Sequence, residues 1–168
     1  KNRISSANIT ISCVDSGSAR KEIKTALKTI TDQIEERGHL KDWHRGYIEP
    51  FKYPYYWMDF GNMMDCGQVV LGTLLKIKQP EKSEFECLDT LPTIDKLHPD
   101  ILKDSKRDNQ GPSCSLAEAL GKQDLFINST LAQFGMDILW KLFREAKLTQ
   151  YGVYVNLKSL CVNPIELR

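Results

Sequence analysis

Three residues stand where chemistry is possible: Asp15, Arg20 and Cys114. Asp15 sits in "ITISCVDSGSARKEIKTAL", Ile9 to Leu27, at the bend between an apolar β-branched run and an amphipathic helical repeat. In open α/β sheets ligands bind beyond the carboxyl ends of the strands. A carboxylate there can hold a magnesium ion, receive a hydroxyl, or cap the next helix. Arg20 lies one turn into that helix, as a partner for an anion or as a solvated charge. Cys114 directly precedes "SLAE", a Ser115/Glu118 capping-box pair. If Ser115 caps the helix, the sulfur lies beside its positive terminus, with Lys103, Lys106, Arg107 and Lys122 near in sequence, and these favour the thiolate. The plainer alternative for Cys114 is a small residue packed under the helix start.

The elements that must position these residues follow from periodicity. Ile9, Ile11 and Cys13, with Val14, predict a short strand ending at "DSGS". Ile23, Ala26, Leu27, Ile30 and Ile34 recur at steps of three and four, with Ser18 available as N-cap and Gly38 as terminator. "KDWHRGYIEPFKYP" reads as a loop, and "YYWMDFG" and "QVVLGTLLKI" as strands bracketing "GNMMDCG". A long loop is expected over about 79–113, where charges and four prolines accumulate. Leu116, Leu120, Phe126, Ile127, Leu131, Phe134, Ile138 and Leu142 give a long helix that Gly121 and Gly135 could kink. "YGVYVNL" and "SLCVNPIEL" alternate as a hairpin or an added sheet edge. Interleaved strands and helices of this kind indicate an α/β domain.

Composition narrows the function classes. A chain of 168 residues, 41% hydrophobic, can bury one sizeable core, and one domain is expected over 1–168. Lys+Arg 23 against Asp+Glu 22 gives a net charge of +1, so nothing is organised around nucleic acid or an anionic membrane. No apolar run approaches the ~20 residues of a membrane span, and a soluble, cytoplasmic protein is expected. The five cysteines lack zinc-ligand spacing and fit free thiols in a reducing compartment. Cys13 on the core strand and Cys161 on a terminal strand should be buried, and Cys66 should pack in a strand turn. His39, His44 and His98 share no helical face. Part of the aromatic patch Trp43, Tyr53, Tyr55, Tyr56 and Trp57 should be buried, and Phe134, Trp140 and Phe143 fit a core or a dimer interface. Asn128 reads as a satisfied polar residue or a contact to a loop near the site.

Several of these stretches together resemble a known family. "VDSGSARKEI" is similar to the D-x-x-x-x-R-x-x-I/L segment of ThiF/MoeB proteins, the adenylating enzymes related to ubiquitin activators. "GQVVLG" resembles their Gly-Gln-hydrophobic strand, and "PSCSLAEALGKQDLFINSTLAQ" their crossover-loop cysteine and helix. With "WMDFGN" and "LPTIDKLHPDI" the wording looks closest to the PRTRC-system ThiF branch. The resemblance covers about Ile9 to Leu167 and corresponds to the later part of a family member. It implies a Rossmann-like, three-layer fold with a mixed sheet, lacking the N-terminal nucleotide-loop half. It also implies ATP and Mg2+ as cofactors, with Asp15 near the triphosphate and its metal and Arg20 binding the nucleotide, and Cys114 as a possible thioester former. The implied partners are a ubiquitin-like or sulfur-carrier protein and a second copy of the chain. No GxGGxG turn occurs in these 168 residues, and a start without methionine suggests a fragment that adenylates poorly alone. The alternative is a non-catalytic interaction or dimerisation module of the same lineage.

Overall fold

The structure is a computed structural model that describes residues 7–36, 53–103 and 123–167. In chain order the elements are β1 (Ile9–Ser12), α1 (Gly17–Glu36), β2 (Tyr56–Asn62), β3 (Cys66–Thr73), the short α2 (Ile94–Leu97), a 3-10 turn (Pro99–Leu102), α3 (Ile127–Glu145), β4 (Gln150–Asn156) and β5 (Cys161–Glu166). The five strands form one sheet in sequence order. β1 and β2 are parallel, with Ile9 opposite Tyr56 and Ser12 opposite Asp59, and every later pair is antiparallel. The expected α/β class and mixed sheet are therefore present.

Alternation along the strands sorts the side chains into two cores. Met58, Val69, Leu71, Val153 and Val155 face α3, whose Ile127, Leu131, Ile138 and Leu139 repeat at helical spacing and close that side. Trp57 and Val70 point the opposite way, where Leu27 of α1, Ile94 of α2, Leu91 and Tyr151 cover them. Helices thus lie on both sides of the sheet, and the central strand β3 is buried along most of its length. Tyr151 joins the α1 side although Val153 and Val155 face α3, because the register between β4 and β5 shifts at Gln150/Gly152.

Several local expectations need correction. α1 begins at Gly17 with Ser16 as its cap, since Ser16 Oγ accepts the Ala19 N–H at 3.2 Å and the Ser16 carbonyl accepts the Arg20 N–H. Ser18 lies inside the helix. The last long helix starts at Ile127, because the Asp124 carboxylate accepts the Phe126 N–H at 2.8 Å and turns the chain first. Gly135 marks a close approach to the ring of Phe60, inside a continuous helix. Cys13 and Cys161 are exposed: Cys13 lies just past the end of β1, and Cys161 begins the edge strand β5. Trp57 is buried as expected, whereas Trp140 and Phe143 are 65% and 69% exposed on the outer side of α3, which removes the core alternative for them and not that of an interface. Among the described residues no helix is long and apolar enough to cross a membrane.

Candidate functional site at the carboxyl edge of β1

The parallel pairing of β1 and β2 brings the carboxyl ends of both strands to one edge of the sheet. Asp15 lies there, three residues past the end of β1, and is exposed. Capping falls to Ser16, one residue later, which leaves the Asp15 carboxylate outside the helix hydrogen-bond scheme. Of the sequence-derived roles for Asp15, the cap is thereby removed. A carboxylate and the positive end of a 20-residue helix occupy the same turn.

Arg20 is placed differently from a solvated charge. It is 5% exposed, and its Nε donates to both carboxylate oxygens of Asp59 at 3.2 and 3.1 Å while Nη2 donates to the Phe60 carbonyl at 3.0 Å. Asp59 is fully buried. Its Oδ1 also accepts the Ser12 hydroxyl at 2.6 Å, and that hydroxyl in turn accepts the indole N–H of Trp57 at 2.7 Å. Burial pushes the Asp59 carboxyl upward, and the Ser12 and Arg20 hydrogen bonds and the Arg20 charge only partly reverse this. A charge so enclosed is tolerated because each polar atom facing it is matched.

These four residues escaped the sequence reading as a unit. Their signal was the aspartate of "YYWMDFG": a carboxylate in the middle of an apolar strand calls for a cation, and Arg20 was the candidate one helical turn into α1.

Cys13 is beside this group, and its thiol is pushed up by partial burial and by the Asp59 charge, so it stays protonated at neutral pH. Cys66, at the start of β3, is half-buried. Cys114, with the Ser115/Glu118 pair and Lys106, Arg107 and Lys122, lies outside the described residues. Lys103 is described and exposed, with its Nζ 2.7 Å from Asp100. Asn128 is exposed and donates to Gln123 at 3.1 Å, the ordinary satisfied arrangement. Asn62, at the end of β2, carries a buried side-chain amide nitrogen that no acceptor meets among the described residues.

Among the described residues no group of three or more His, Cys, Asp or Glu side chains converges. Among the described residues Asp15 thus belongs to no cluster of three such side chains. That suits Mg2+, which takes one or two carboxylates and completes its shell with phosphate oxygens and water. It does not suit a cation held by protein alone. Two open depressions occur elsewhere, one beside Tyr151 and Tyr154 on β4 and one beside Met64 and Asp124, and Asp15 lines neither.

No family model, no curated protein and no solved structure matches this chain.

Proposed function

We propose that the chain is the C-terminal part of an ATP-dependent adenylyltransferase of the ThiF/MoeB type, in the PRTRC-system branch, which activates the carboxyl terminus of a ubiquitin-like or sulfur-carrier protein. One observation carries the reading: Asp15 is an exposed carboxylate at the exit of a parallel strand, relieved of capping by Ser16. A mixed sheet with helices on both sides agrees with the Rossmann-like fold that the motifs imply.

Mg2+ bound with the triphosphate would supply neutralising charge during adenylyl transfer, and Asp15 fits it as one ligand. The glycine-rich cradle for the phosphates is not among these 168 residues, so the proposal places it in upstream chain. Cys114 is assigned the later step, in which its thiolate attacks the activated carboxyl carbon, the C–S bond forms and AMP leaves. A second copy of the chain and a cytoplasmic setting belong to the same proposal.

Pyrophosphate exchange by the full-length protein tests this reading. Exchange should be lost in Asp15→Ala and retained in Cys114→Ala, and normal exchange in both variants would remove the site assignments.

A second reading has its own support. Met136, Trp140 and Phe143 recur at steps of four and three and are exposed along α3, opposite the residues that pack on the sheet. Such a stripe suits a non-catalytic interaction or dimerisation module. Absence of exchange in the full-length wild type, together with a stable dimer or complex in sedimentation, would favour it.

A further inference from the structure

We propose that Asp59 is a positioning residue for Asp15: its buried carboxylate joins both ends of the turn at residues 13–19, through Ser12 on the strand side and Arg20 on the helix side. The inference rests on the reading of Asp15 as the acting carboxylate. Ser12 is the last residue of β1 and Arg20 belongs to the first turn of α1, so the seven residues between them form a loop whose two ends share one anchor. That anchor is the middle residue of β2, hydrogen-bonded to strands on both sides and immobile for that reason.

The surroundings are shaped for the anchor. Gly61 leaves room for the guanidinium, since a Cβ there would stand 3.0 Å from Arg20 Nη2. The Phe60 carbonyl and the Trp57 indole hold the outer members of the group, so neither Arg20 nor Ser12 is free to turn away. A buried ion pair is not the most stable filling for such a site, because apolar residues of similar volume commonly serve as well or better. Its benefit is directional: five hydrogen bonds define where the loop begins and where it ends, and an apolar contact would define neither. For a carboxylate that must meet a cation bound with a triphosphate, a misplacement of about 1 Å lowers turnover by about a hundredfold. Arg20 thereby acts on the site through Asp59.

The experiment compares Asp59→Asn, Arg20→Gln, Arg20→Lys and Ser12→Ala with Asp15→Asn in the full-length protein, by two readouts. Amide hydrogen exchange is followed over residues 13–20 and, as a reference, over α3. Pyrophosphate exchange is followed as a function of Mg2+ concentration. Expected is at least about tenfold faster exchange of the 13–20 amides in Asp59→Asn and Arg20→Gln, with α3 unchanged. Their turnover should fall by about ten- to a hundredfold, with a raised Mg2+ requirement and an unchanged KM for the carboxyl-terminal substrate. Arg20→Lys should recover part of both losses, and Ser12→Ala, which deletes a single hydroxyl, should show a smaller version of both.

Unchanged loop exchange in Asp59→Asn, or a loosened loop with normal turnover and Mg2+ dependence, overturns the positioning role. Faster exchange throughout α3 in every variant, Ser12→Ala included, assigns the group to global stability and also overturns it. Normal turnover in Asp15→Asn overturns the reading of Asp15 itself, and with it the purpose of the anchor, while the loop measurement still shows whether Asp59 holds the turn.

Discussion

Gly17 and Lys103 touch backbone to backbone: a Cβ on Gly17 would stand 2.6 Å from both the carbonyl carbon and the carbonyl oxygen of Lys103. The first residue of α1 is thus seated against the end of the 3-10 turn, and main chain cannot swing aside as a side chain can. Gly17→Ala must displace one of the two segments, which overrides the helix propensity gained with alanine. A loss of about 1–3 kcal/mol is expected in denaturant unfolding. Lys28→Ala, at an exposed position of the same helix, should stay within about 0.5 kcal/mol of wild type. Equal stability of both variants would mean that the contact with Lys103 is looser than described.

The division of labour between Asp15 and Ser16 is separable by stability alone. Ser16→Ala removes the hydroxyl that accepts the Ala19 N–H and should cost about 0.5–2 kcal/mol, whereas Ser16→Asp restores an acceptor and most of the loss. Asp15→Ala removes an exposed carboxylate outside the cap and should change stability by no more than about 0.5 kcal/mol. Thermal unfolding of the three variants checks this, and a larger loss from Asp15→Ala than from Ser16→Ala would return the capping role to Asp15.

α3 ends on Ala146, a residue with φ 50° whose N–H donates to the Leu142 carbonyl. An L-residue with a Cβ is strained in that region by about 1–2 kcal/mol, and glycine is not, at the expense of a more flexible unfolded chain. Ala146→Gly should therefore stabilise the protein by about 0.5–1 kcal/mol in equilibrium unfolding. A destabilised variant would show that α3 ends in another conformation.

The two sides of α3 should respond in opposite ways to truncation. Leu131, 2% exposed, packs among Met58, Val69 and Ile127, so Leu131→Ala should cost about 2–5 kcal/mol. Trp140→Ala, on the exposed side, should leave the midpoint of the isolated chain nearly unchanged despite removing a larger side chain. Urea unfolding of both decides which side carries the core.

What was legible in the sequence was periodicity and turn chemistry. Ile9 to Cys13 gave a strand, the three- and four-residue spacing from Ile23 gave α1, and the alternation in "YGVYVNL" and "SLCVNPIEL" gave the β4–β5 hairpin, each because a local pattern suffices. The misplaced features depend on neighbours that the pattern does not contain. Cys13 and Cys161 share the composition of buried strand residues, but β1 ends one residue before Cys13 and Cys161 lies on an edge strand. Trp140 and Phe143 satisfy the same helical spacing as Leu139 and Leu142, and only the sheet decides which stripe is covered. Two serines flank Gly17, and the choice of Ser16 as cap depends on the bend at Asp15. Asp59 was not singled out from the sequence, because its partners lie 39 and 47 positions away and come together only through parallel pairing.

The contact between α1 and α2 should set an acid limit on stability. Lys24 Nζ lies 2.7 Å from Asp95 Oδ2, and the Thr93 hydroxyl donates to Asp95 Oδ1 at 2.6 Å. Burial pushes the Asp95 carboxyl upward, but the Lys24 hydrogen bond, the Thr93 hydrogen bond and the Lys24 charge together outweigh it, and the net shift is downward. A carboxyl held below its unfolded value binds its proton less readily when folded. Its contribution is therefore complete above the ordinary carboxylate range, about pH 4, and is lost as pH falls through the lower folded value. Lys24→Met removes the cation and leaves burial to dominate, so the fall in stability with acid should become shallower. At neutral pH the same variant should be less stable than wild type, because Asp95 is then charged, 8% exposed and without its ammonium partner. Denaturant unfolding from pH 7 to pH 3 measures both effects, and parallel stability curves for the two proteins would show that the pair does not contribute to acid unfolding.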